Sequence, residues 1–73
     1  MNKREYCHRL ADINEALYDI EKRLRDVKFK LMWENNPDRR DWFQKAEERL
    51  LRERAETKES RTALEAEGYS ALE

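Results

Sequence analysis

Glycine, proline, cysteine and histidine each occur once in this 73-residue chain, and each scarcity removes a class of structure or chemistry. The one cysteine, Cys7, cannot close an intrachain disulfide, and a lone thiol without a framework fits a reducing, cytoplasmic compartment. The one histidine, His8, is followed by Asp12 and Glu15 at helical spacing. Without a second His or a Cys cluster they do not amount to a metal centre, so a surface His beside a half-buried Cys is expected, with no metal and no cofactor. The one glycine, Gly68, leaves no phosphate-cradling loop. No long apolar run exists either: Met1-Asn2-Lys3-Arg4-Glu5 leads into neither a signal peptide nor a membrane span. The expected protein is soluble. Leu72-Glu73 fits a vector-derived scar ahead of a purification tag and is kept out of the fold reasoning.

An excess of charge of one sign is lacking too. Charged residues make up 45% of the chain, yet the formal net charge is −1. The signs are interspersed, which argues against a polyanion-binding tail. Chains this polar often stay unfolded, but near-zero net charge and a regular apolar spacing count against disorder here. Abundant Ala, Glu, Lys, Leu and Arg with almost no Gly or Pro is the composition of long helices and coiled coils. A chain of this length is one domain and buries only ~60% of its unfolded surface. Small scaffolds offset that shortfall with disulfides, a metal or oligomerisation, and oligomerisation or an unusually good helix–helix seam is what remains.

The first half carries the pattern. Tyr6, Leu10, Ile13, Leu17, Ile20, Leu24, Val27 and Leu31 follow one another at alternating spacings of four and three. This is a heptad row with Leu10, Leu17, Leu24 and Leu31 at a and Tyr6, Ile13, Ile20 and Val27 at d. Asn2 fits an N-cap with Glu5 in the capping-box position, so helix 1 is expected over about 3–34. Glu5–Arg9, Asp19–Arg23, Glu21–Arg25 and Asp26–Lys30 are acid-first i,i+4 pairs on its outer faces. The break is Glu34-Asn35-Asn36-Pro37-Asp38. Asn35 fits a left-handed helix end, Asn36 a cap for the next helix, and Pro37 its first turn. A connection at 35–36 is short enough to force antiparallel neighbours.

Helix 2, expected over about 37–67, is weaker. Phe43, Leu50, Thr57 and Leu64 form one row, and Ala46, Glu53 and Ser60 read as the other. Antiparallel pairing sets Leu31 near Phe43, Leu24 near Leu50, Leu17 near Thr57 and Leu10 near Leu64. Gly68 fits a left-handed C′ position with Tyr69 packing on Leu64, which leaves 68–73 as a short tail. The fold expected over 1–73 is thus an all-α, coiled-coil-like helical hairpin. Helix 1 offers about twice the apolar side chains of helix 2, and a half-exposed aliphatic side chain forgoes part of its ~1.5–3 kcal/mol. A two-fold dimer of hairpins, a four-helix bundle joined through helix 1, would cover the surplus.

The turn end gathers Phe29, Trp33, Trp42 and Phe43 with Lys28, Lys30, Arg39 and Arg40. Such a cluster suits a protein-binding hot spot, a nucleic-acid contact by stacking and phosphate neutralisation, or a plug for the end of the bundle covered by basic stems. Arg39 and Arg40 sit in the first turn of helix 2, where the helix dipole disfavours cations, and this mildly favours a binding role. Catalytic residues are not expected. Paired carboxylates such as Glu47-Glu48 arise by chance among 17 acids, and a thin hairpin has no cleft to bury them.

In size and architecture the whole chain resembles small helical-hairpin accessory proteins of bacteriophages and mobile elements. That resemblance implies a host or phage protein as partner and a regulatory role, and it carries over no functional residue. The function expected is non-enzymatic protein–protein interaction. The chain would pair with itself through the helix 1 row and meet a further protein through the aromatic–basic tip or the helix 2 face. The alternatives are a nucleic-acid-associated module at the tip, or a monomeric hairpin that completes its core on a heterologous helix.

Overall fold

The computed structural model describes the backbone of residues 2–72 and the side chains of 2–68. It contains two helices, α1 (Lys3–Trp33) and α2 (Pro37–Leu72), lying side by side. The molecule measures 55 × 14 × 12 Å, and its radius of gyration is 16.5 Å. A compact globule of this length would have about 11 Å. The long dimension is that of α2 alone, whose 36 residues at 1.5 Å each span roughly 54 Å.

Both helix starts are built as their residues dictate. The Asn2 side chain accepts the Glu5 N–H at 2.8 Å, and the Asn36 side chain accepts the Asp38 N–H at 2.9 Å. Each satisfies one of the orphan donors of a first turn. Pro37 then supplies a fixed φ where no N–H is needed. The end of α1 departs from expectation. No residue among those described has a positive φ, so Asn35 is not left-handed. Instead Glu34 leaves the helix in an extended conformation, φ −83° and ψ 123°. The Arg40 guanidinium donates to the Leu31 and Glu34 carbonyls at 3.5 and 3.2 Å. A side chain from the next helix thus does the work that a left-handed residue would otherwise do.

The core is a single line. Leu17, Ile20, Leu24, Leu50 and Leu64 are the buried apolar side chains among the described residues, with the α1 members between 3 and 9% exposed. Ile20, Leu24 and Leu50 form its centre, flanked by Val27 and Leu51. Within α1, the described positions that are at least half-buried are Tyr6, Leu10, Ile13, Leu17, Ile20, Leu24, Val27 and Leu31, and the remaining ones are exposed. Leu24 against Leu50, Asn14 against Arg61 (3.4 Å) and Tyr6 against Gly68 fix the antiparallel register.

On α2 the facing row is Phe43, Glu47, Leu50, Arg54, Thr57, Arg61, Leu64 and Gly68, each half-buried or buried. The expected second row was different: Ala46 is half-buried, but Glu53 and Ser60 are exposed. Register places Arg54 across from Ile20 and Arg61 across from Ile13. An arginine stem lays methylenes along an apolar neighbour and keeps its charge in water, a covering that Ser60 or Glu53 provides less well. Thr57, across from Leu17, returns its hydroxyl to the Glu53 carbonyl at 2.7 Å. That closes the hydroxyl's hydrogen bond inside the helix and leaves its methyl for packing.

Gly68 also differs from its sequence reading. It is not a left-handed terminus: α2 runs through it to Leu72, and its φ is not positive. The Tyr69–Leu64 contact expected with it involves a side chain outside the described residues, as does Glu73. What Gly68 provides is room, because a Cβ there would run into the Tyr6 ring. The outer faces carry Asp19–Arg23, Asp26–Lys30 and Asp41–Lys45 pairs at 3.9, 3.1 and 3.0 Å. Among the described residues Glu5–Arg9 and Glu21–Arg25 do not close to that distance.

Gly68 generates a test by sign. An interior helical glycine changed to alanine normally gains up to ~1 kcal/mol, but Gly68→Ala should lose about 1 kcal/mol through overpacking against Tyr6. In a Tyr6→Ala background the same change should become stabilising. Chemical denaturation of the four members of this cycle measures the coupling.

Candidate docking face at the turn end

Four large apolar side chains stand exposed near the turn: Phe29, Met32, Trp33 and Trp42, at 62 to 73%. In the α1 heptad, Phe29, Met32 and Trp33 fall at f, b and c, the side of the helix away from its row of contacts with α2. Their exposure therefore follows from sequence position, and no rearrangement of the hairpin would bury them. The plug expected for the tip is not present in this chain: only Phe43 of the four rings is half-buried.

The rings are arranged in two pairs. Phe29 and Trp33 lie one turn apart on α1, centroids 6.4 Å apart and planes tilted by 56°. Trp42 and Phe43 meet edge to face on α2 at 5.2 Å and 78°. Lys30 stands between the pairs. Its ammonium lies 5.9 Å from the Phe43 centroid, within cation–π range, and 3.1 Å from the Asp26 carboxylate. Beside Lys30 runs an open groove between the helices. Val27, Phe43, Ala46 and Leu50 line it together with Trp42, and Arg23, Asp26, Arg49 and Glu53 edge it. A second, shallower depression joins Phe29 and Trp33 to Phe43 across Lys30. The aromatic face is thus continuous over both helices.

The four cations of the expected tip do not act as one group. Lys30 lies within the face. Arg40 is engaged at the end of α1, where the negative end of the helix dipole favours a cation. That accounts for a positive charge in the first turn of α2: it serves the neighbouring helix. Lys28 lines a different depression with Tyr18, Glu21, Leu24, Arg25 and Arg54. Arg39 is exposed in the first turn of α2. Of the row residues, Leu17, Ile20, Leu24, Leu50 and Leu64 are buried, while Tyr6, Leu10, Ile13, Val27, Leu31 and Phe43 are half-buried.

Met32, Tyr18 and the groove residue Arg49 had not stood out in the sequence, and Ala46 had done so only as a row position. Met32 and Tyr18 were detectable there, being apolar residues at heptad positions that a two-helix hairpin leaves in water. At the opposite end Cys7 is exposed and not half-buried. It lies with Arg4, His8 and Ala11 along a shallow surface, because its position beside the row falls outside the reach of α2. Among the described residues no three of His, Cys, Asp and Glu gather as metal ligands, and no helix is long and apolar enough to cross a membrane. No buried side-chain nitrogen or oxygen among them lacks a hydrogen-bond partner.

No protein-family model matches the chain, and no curated protein or solved structure is similar to it at a significant level.

If Arg40 closes the end of α1, Arg40→Ala should lower stability by about 1 kcal/mol, while Arg39→Ala should stay within about 0.5 kcal/mol of the parent. Thermal or urea unfolding of the two variants side by side distinguishes the roles. Equal effects would contradict the assignment.

Proposed function

We propose that the chain is a non-enzymatic interaction module that docks on another protein chain through the aromatic face at the turn end. The observation that carries this reading is the exposure of Phe29, Trp33 and Trp42 on one continuous surface. Apolar residues scattered singly need no explanation, but a contiguous patch rimmed by charge marks an interaction site. Tryptophan and arginine are the residue types that dominate binding energy when such a patch closes.

Two details set the reading apart from its rivals. Pairing through the centre of the α1 row, Leu10 to Leu24, has little surface to work with, because Leu17, Ile20 and Leu24 are already covered by α2. The same covering weighs against a hairpin that awaits a foreign helix in that row. A nucleic-acid contact would draw on Lys28, Lys30, Arg39 and Arg40. Of these Arg40 is tied to α1, Lys30 is paired with Asp26, and Lys28 belongs to another depression. That leaves a thin basic footprint for a polyanion. Catalysis finds no support in open, shallow depressions. A regulatory role as a small accessory protein is consistent with such a module.

The test compares proteins retained from the native cell extract by the intact chain and by a Trp33→Ala, Trp42→Ala double variant. The variant should keep the helical circular dichroism of the parent, since both rings are exposed, and lose the specific partner. Retention of the same proteins by both would remove the face from consideration, and salt-sensitive retention of DNA or RNA by the parent would favour the nucleic-acid reading.

A further inference from the structure

The identity of the occupant can be argued from the shape, charge and area of the face. Resting on the docking role proposed above, we infer that the partner of this face is the same face of a second copy. Two hairpins would then pack side by side about a two-fold axis passing near Lys30.

Shape is the first argument. A two-fold interface uses one patch twice, so the patch must be complementary to itself. Phe29 and Trp33 stand exposed as a pair of rings on α1. Immediately across Lys30 lies a groove of matching character, with Trp42 as a wall and Val27, Ala46 and Leu50 within it. An exposed aromatic pair beside an apolar groove on one face lets a two-fold set each pair against the other copy's groove.

Charge is the second. The groove and the adjoining depression carry Arg23, Lys30 and Arg49 against Asp26, Glu34 and Glu53, and Lys30 is already held to Asp26. A strongly acidic or strongly basic partner would meet repulsion along with attraction. A surface of both signs, turned on itself, offers each charge an opposite one and leaves the axis nearly neutral. The chain as a whole has a net charge of −1, so two copies do not repel at long range.

Area is the third. The hairpin exposes 6095 Å², whereas a compact monomer of 9.0 kDa would expose about 4,900 Å². The excess is what a single layer of two helices exposes for want of a second layer. Phe29, Trp33 and Trp42 alone expose roughly 450 Å², given the ~150–250 Å² that an aromatic side chain can bury. The groove residues beside them extend the face toward the ~800 Å² per partner of a stable interface.

The experiment is sedimentation equilibrium of the full chain with tryptophan emission recorded over the same dilution series. Both tryptophans of the chain lie in the proposed interface. The expected result is a dimer whose dissociation, as the chain is diluted, shifts the emission to longer wavelength. Trp33→Glu and Trp42→Glu should each weaken the dimer by about 100-fold or more at unchanged helicity, a loss typical of a charge placed in a hot spot. Tyr18→Glu, in the depression with Lys28, should leave the dimer intact. A parent chain that stays monomeric up to roughly 100 µM overturns the second-copy assignment while leaving the docking role to the extract comparison. A dimer that dissociates without a shift in emission, or that survives both tryptophan changes, also overturns it.

Discussion

The apolar row of α1 has a single neighbour within the chain, and that neighbour is only partly apolar. Leu10, Leu17, Leu24 and Leu31 meet a row of Leu64, Thr57, Leu50 and Phe43, which is adequate cover. The intervening Tyr6, Ile13, Ile20 and Val27 lie across from Gly68, Arg61, Arg54 and Glu47, where only side-chain stems and a missing side chain are available. Within α1 burial is deepest from Leu17 to Leu24 and slackens toward both ends. A single, partly apolar neighbour makes the core a line and not a volume, and among the described residues no side chain is enclosed on all sides. A hairpin with such a core has little stability to spare, because net stability is a few kcal/mol left between large opposing terms.

How much of this was legible in the sequence depended on whether the contact involved an apolar residue. The α1 row, the register and the caps at Asn2 and Asn36 could be read directly, since heptad spacing and capping chemistry are local signals. The second row of α2 was read as Ala46, Glu53 and Ser60 because a periodicity search weighs whole residues as polar or apolar. Arginine is both, and the three methylenes of Arg54 and Arg61 are what the fold uses. Gly68 was read by the commonest reason for a glycine near a helix end, a left-handed residue. Its actual reason is the ring of Tyr6, more than sixty residues away in sequence, which no local pattern encodes. The role of Arg40 was misread in the same way: its unfavourable place in one helix dipole is a favourable place in another.

The candidate face was half legible. Phe29, Trp33, Trp42 and Lys30 stood out as an aromatic–basic cluster near the turn, and the structure brings them together around Lys30. Which cations would join them was not legible, since Lys28 and Lys30, two residues apart on a helix, point about 200° from one another. The expectation that the rings plug the bundle assumed that aromatic residues find cover within their own chain. Heptad arithmetic argues otherwise: Phe29, Met32 and Trp33 occupy positions that a two-helix fold cannot reach, and they stand exposed.

These two features are linked through stability. A thin core and an uncovered aromatic face in one short chain are each unfavourable alone, and an interface that buries the face adds its binding free energy to folding by mass action. The outward charges hydrate the outer faces of the hairpin, and both members of the Asp26–Lys30 pair border the apolar surface. Lys30 is therefore the residue on which the two requirements meet. Its ammonium keeps the middle of the face hydrated while the chain is alone. Over Phe43 and beside Asp26 it already has the partners that would let it enter an interface without being left as an unpaired buried charge.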